Sequence, residues 1–104
     1  MGEIKEILPV VPWSHVDPEN GSVGIDVELQ DGRQFSFSVA TANNAVASMN
    51  RNHEPYFVSL PPPIIVKRLD PETLRTAFES LFASEDNPML RRYLMQMQRP
   101  RTHA

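Results

Sequence analysis

The tightest constraint on this chain is a pair of alternating runs on either side of Asp31-Gly32. Val23, Ile25, Val27 and Leu29 alternate with mostly polar residues before it, and Phe35, Phe37 and Val39 do so after it. Period-two alternation makes each run a strand with one apolar face, and the turn dipeptide joins them as a hairpin. Loop length then fixes which faces match. A two-residue loop at Asp31-Gly32 sets Phe35 against Glu28 and Phe37 against Asp26, sending the two apolar sets to opposite faces. A three-residue loop of Gln30, Asp31 and Gly32, with Gly32 left-handed after a type I turn, pairs Val27 with Phe35 and Ile25 with Phe37 instead. All the large apolar side chains then share one face, while Asp26, Glu28, Gln34, Ser36 and Ser38 face water. The second register is expected, and with it an antiparallel sheet buried on one side.

A half-buried sheet needs a cover, and the segment after Asp70 supplies one. Asp70 reads as an N-cap, Pro71 as the first helical residue, and Glu72 as an acidic group at the positive end of the helix dipole. Leu74, Ala77, Phe78, Leu81 and Phe82 follow at the spacing of one helix face. Thr41 caps a shorter helix whose stripe is Ala42, Ala45, Val46 and Met49, with Asn50 and Asn52 as its stop signals. Tyr56–Leu60 and Ile64–Leu69 read as a second strand pair joined by Pro61-Pro62-Pro63, a stiff connector because none of the three prolines has an amide donor. A first strand is expected within Glu3–Val11, and a turn-rich loop from Ser14 to Ser22. Asn87-Pro88 opens a last helix, apolar at Leu90, Tyr93, Leu94 and Met97 and basic at Arg91 and Arg92, which Pro100 ends.

With 104 residues there is room for one domain that buries about two thirds of its unfolded surface. The fold class expected is α+β: a small antiparallel sheet of four to five strands with two to three helices packed on one face. Residues 1–98 form the domain and residues 99–104 a basic flexible tail. The chain has no cysteine, which excludes disulfides, a thiolate nucleophile and cysteine-type zinc sites. No run approaches the ~20 apolar residues of a membrane span, the N-terminal apolar stretch is too short and acidic for a secretory leader, and a cytoplasmic location is expected.

Chemistry is thinly represented. The histidines His15, His53 and His103 stand in loops or the tail, no serine sits in a strand-turn-helix elbow, and the four glycines match no phosphate-binding loop. His15 with Asp17 and His53 with Glu54 are two-ligand coincidences, short of a metal site. Asp26 and Glu28 share a strand face about 7 Å apart, a spacing two-carboxylate catalysis uses, but alternating charges are also what the wet face of a hairpin looks like. No catalytic residue, metal or cofactor is expected.

What stands out is the charge distribution. Residues 1–87 carry six Lys or Arg against all thirteen Asp and Glu, whereas residues 88–104 carry Arg91, Arg92, Arg99 and Arg101 and no acid. An acidic body with a basic end implies an interaction. The residues expected to meet a partner are therefore Leu90, Arg91, Arg92, Tyr93, Leu94, Met97, Arg99 and Arg101. For the last helix itself, capping of the chain's own core ranks first, packing on a second subunit second and contact with nucleic acid third; for the function of the whole chain, three readings follow in order. In the first, the chain is a non-enzymatic protein-interaction or self-associating domain, its partner another protein or a second copy in a homodimer. In the second, the arginines contact nucleic acid, against repulsion of phosphates by the acidic body. In the third, a small enzyme uses an unrecognised His or carboxylate site.

Overall fold

In the hairpin, β2 (Ser22–Leu29) and β3 (Gln34–Thr41) pair antiparallel with Val27 opposite Phe35 and Ile25 opposite Phe37. The loop is the three-residue one. Gly32 N–H donates to Leu29 C=O and Leu29 N–H to Arg33 C=O, and Gly32 takes a φ of 92°, which a side chain at that position would strain. The computed structural model describes residues 3–56, 62–84 and 86–99. β1 (Ile4–Pro9) adds antiparallel to β2, with a bulge between Ile4 and Glu6 that keeps both Ile4 and Ile7 on the core side. The connection from β1 to β2 carries a single 3₁₀ turn at Trp13–His15 and a tight turn at Asp17, whose carboxylate accepts the N–H groups of Glu19 and Asn20.

The fourth strand departs from the all-antiparallel expectation. β4 (Ile64–Val66) lies parallel to β3, so the sheet is mixed, in the order β1-β2-β3-β4. The reason is the connection: α1 (Ala42–Asn52) carries the chain back along the sheet, and a crossover of that kind delivers a parallel neighbour. The strand is shorter than Ile64–Leu69. Leu69 leaves the ladder and enters the core, its N–H bonded to Pro18 C=O. The expected partner strand Tyr56–Leu60 lies, beyond Tyr56, outside the described residues.

Helix α1 also differs from expectation, because it covers no core. None of its residues is buried and Val46 remains 51 % exposed. A stripe of alanines, one valine and one methionine offers little apolar area, and the core face already has its cover. Of its two expected stop residues, Asn52 is where this helix ends. It passes Asn50 and ends at Asn52, where His53, with a left-handed backbone (φ 55°), forms the C-cap with bonds back to Asn50 and Met49. Its start follows the cap rule. The Thr41 hydroxyl accepts from Asn44 N–H at 3.1 Å and from Gly21 N–H at 3.2 Å, and Thr41 is fully buried. Gly21 is required there, since a Cβ would stand 2.5 Å from the Asp17 carbonyl oxygen. Thr41→Val keeps the side-chain shape but removes the cap and orphans a buried amide. We expect it to cost about 2–3 kcal/mol in chemical denaturation; a loss of a few tenths would show that water replaces the hydroxyl.

The cover of the sheet is α2 (Pro71–Ala83), which buries Leu74, Phe78 and Phe82 against Ile25, Val27, Leu29, Phe35, Phe37 and Val39. Phe78 and Phe37 stand 4.9 Å apart between ring centres, and Phe82 meets Phe35 edge-on at 5.0 Å. Asp70 caps the helix by accepting Thr73 N–H at 2.7 Å, and Arg68 links it to Glu19. The Thr73 amide, with Arg68 as a lesser contributor, holds the Asp70 carboxyl below its ordinary value of 3.8. A lowered pKa gives stability that is present above the ordinary value and lost as pH falls through the lower, folded one. Asn also caps helices but does not titrate. Urea midpoints for wild type and Asp70→Asn should therefore converge as pH falls from 6 to about 2; a constant gap would mean that the Asp70 charge adds nothing to the fold.

Candidate functional site

The C-terminal segment holds every residue that the sequence marks for partner contact, and the structure divides them. α3 (Pro88–Met97) begins at Asn87, whose side-chain oxygen accepts the N–H groups of Met89 and Leu90, so the helix starts where the sequence sets it. One face goes into the chain's own core. Leu94 is 6 % exposed, Tyr93 stacks on Phe37 at 6.0 Å, and Met97 packs beside them. The Tyr93 hydroxyl donates to Pro62 C=O at 3.2 Å, and burial of the ring raises its pKa above 10.0. Leu90 is half-buried on the same side.

Beyond the helix, the chain turns extended and finishes the edge of β3. Gln98 bridges Phe35, Arg99 N–H donates to Gln34 C=O at 2.7 Å, and the Arg99 guanidinium sits 3.8 Å from the Asp26 carboxylate. Arg99 thus belongs to the sheet edge rather than to a tail that begins at residue 99. Arg101 lies outside the described residues. Of the eight marked positions, Leu94, Tyr93 and Met97 serve the core, Leu90 flanks it and Arg99 ties the chain end down. Arg91 and Arg92 are exposed on the outer face.

That outer face contains residues the sequence reading passed over. Met89 is 82 % exposed and Met95 69 %, and Gln96 is exposed beside them. Asp86, Pro88, Arg91, Arg92, Met95 and Gln96 line a shallow groove of about 470 Å³. The signal was present: Met89, Arg92 and Gln96 fall at i, i+3 and i+7, and Arg91 and Met95 at i and i+4, a second stripe opposite the apolar one. Met89 and Met95 stand outside the Leu90, Tyr93, Leu94 and Met97 stripe, and mixed with charged residues they do not form an apolar pattern of their own. Among the described residues the face has two methionines, two guanidinium groups and Asp86 as its one acid, so its chemistry is that of a basic, deformable contact surface.

The other sequence candidates are spoken for locally. Asp26 accepts the Ser36 hydroxyl at 2.8 Å and faces Arg99, and Glu28 pairs with Lys5 at 3.6 Å, so each carboxylate has its own partner on the wet face of the sheet. Asp17 is engaged in its turn and His53 ends α1. Among the described residues no group of three His, Asp or Glu side chains is placed to hold a metal ion, and no helix is long and apolar enough to cross a membrane. His103 lies outside the described residues. Set against protein-family models, curated proteins and solved structures, the chain has no match.

Proposed function

We propose that this chain is a non-enzymatic protein-interaction domain that engages an acidic partner surface with the outer face of α3. The observation that carries the reading is the pairing of Met89 and Met95, both largely exposed, with Arg91 and Arg92 on a helix whose other face is locked into the core. Arginine and methionine are enriched at protein interfaces, the first for its planar bidentate donors and the second for its adaptable shape. A rigid helix also presents them at low entropic cost. Self-association draws less support from the packing than from the sequence pattern. Leu94, Tyr93 and Met97 are used within the chain, so a homodimer at this helix rests on Met89 and Met95 and on charge.

The test is Arg91→Glu with Arg92→Glu, not removal of the helix, because α3 is part of the core. Exposed changes of this kind leave stability within about 0.5 kcal/mol. The expected result is an unchanged melting curve and loss of a partner that wild type captures from a lysate, with capture weakening as salt rises. Capture that survives the double reversal would refute the proposal. Retention of nucleic acid by the wild-type chain, falling steeply with salt, would favour the phosphate-binding reading instead.

A further inference from the structure

We infer that the outer edge of β4, with the groove beside it under α2, receives a short extended peptide as an added strand. The inference starts from which way the main chain points. Thr41 N–H donates to Gly21 C=O on the β2 side, so alternate residues of β3 direct their main-chain groups to β2, and those between them, Ala40 included, direct theirs to β4. Ala40 is opposite Ile65. In a parallel ladder a residue that points at its neighbour bonds to the two residues flanking its opposite number, here Ile64 and Val66. Ile65 N–H and C=O therefore point away from the sheet, and among the described residues no main-chain group of a turn, loop or cap bonds to them. The Ile65 side chain is 48 % exposed.

Beside that edge runs a groove of about 410 Å³, lined by Ile65 and Val66 on the strand, by Lys67 just after it, and by Glu72, Thr73, Thr76 and Ala77 on α2. An outward donor and acceptor on a strand edge have one macromolecular complement, another extended backbone, and a groove between edge strand and helix gives that backbone somewhere to put a side chain. The opposite edge of the sheet is poorer. Val10 N–H bonds to Gly24 C=O, which leaves Pro9 facing outward without an amide, and the bulge after Ile4 breaks the line. Charge narrows the occupant. Lys67 and Glu72 are exposed and have no ion-pair partner among the described residues. The fitting peptide carries an apolar residue for the Ala77 side of the groove, a basic residue to meet Glu72 and an acidic one to meet Lys67. Pro62 and Pro63 limit the ladder to a few bonds, so a peptide is favoured over a second copy, whose stable pairing needs a larger contact.

The probe is a random seven-residue peptide library displayed on phage, selected against the full chain. Two variants serve as references. Ile65→Pro removes only an outward amide, which an edge strand tolerates, and Thr76→Trp fills the groove from an exposed helix position. The expected result is a set of peptides with the stated pattern that shift the amide resonances of Ile65, Lys67 and Ala77. Ile65→Pro should bind them up to about tenfold more weakly, the loss expected for one main-chain hydrogen bond, and Thr76→Trp, which occupies the space a peptide side chain needs, should bind them at least about tenfold more weakly. Arg91→Glu with Arg92→Glu should bind them as wild type does, which separates this site from the α3 face. Peptides that bind Thr76→Trp equally well, or that shift α3 resonances instead, would overturn the inference. So would a wild-type dimer that Thr76→Trp renders monomeric, or an empty selection.

Discussion

A chain ending at Asn87 is expected to lose cooperative folding. The sequence makes this cut attractive, because it separates the acidic body from the basic end at a cap residue. In the structure the cut removes Leu94, Tyr93 and Met97 from the core and strips the cover from Phe37. Full burial of a large apolar side chain is worth about 1.5–3 kcal/mol; with Leu94 buried and Tyr93 and Met97 partly so, their joint loss takes a substantial share of the stability of a domain this size, about 5–15 kcal/mol. The bonds from Gln98 and Arg99 to the edge of β3 go as well. Near-UV circular dichroism and urea unfolding should show residues 1–87 without fixed tertiary packing, or with a midpoint far below that of the full chain. A sharp transition at an unchanged midpoint would mean that α3 is an appendage, and would return truncation to use as a functional test.

Phe78→Ala carries the largest effect expected of a single substitution, about 3–5 kcal/mol. Phe78 is 1 % exposed, lies mid-way along α2 and reaches Phe37 at the centre of the sheet. Its removal leaves a cavity that Leu74 and Phe82 cannot close, since each is held at its own site on the same stripe. Phe78→Leu, which keeps most of the volume, should cost less than about 1.5 kcal/mol. Denaturant midpoints for the two variants separate cavity formation from loss of the aromatic ring. A cost below about 1 kcal/mol for the alanine variant would place Phe78 outside the packed core, against its burial.

Both effects depend on contacts of very different legibility. Phe78 was readable from the sequence, because five apolar residues at helical spacing behind an Asp-Pro start have no other economical reading. The docking of α3 on its own sheet is the first of the readings its sequence allows, but the sequence does not single it out. An amphipathic helix of ten residues has the same pattern whether its stripe meets its own sheet or another molecule. What decides is the area left uncovered by α2, a property of the assembled sheet. The candidate site is legible only in part for the same reason: charge marks Arg91 and Arg92, whereas Met89 and Met95 lie outside the apolar stripe, and only packing shows that they stay exposed.

Local rules, acting over a few residues, are what the sequence by itself determined. Gly32 and a three-residue loop set the hairpin register; Thr41, Asp70 and Asn87 start their helices with side chains that accept nearby amides. Each depends on short-range geometry and needs no knowledge of the rest of the chain. Tertiary structure alone decided the rest. The parallel placement of β4, the idleness of α1 toward the core, the division of α3 into a buried and an exposed face, and the outward turn of Ile65 all follow from competition for one apolar sheet face and from ladder parity across three strands. Those are long-range quantities, and no window of sequence contains them.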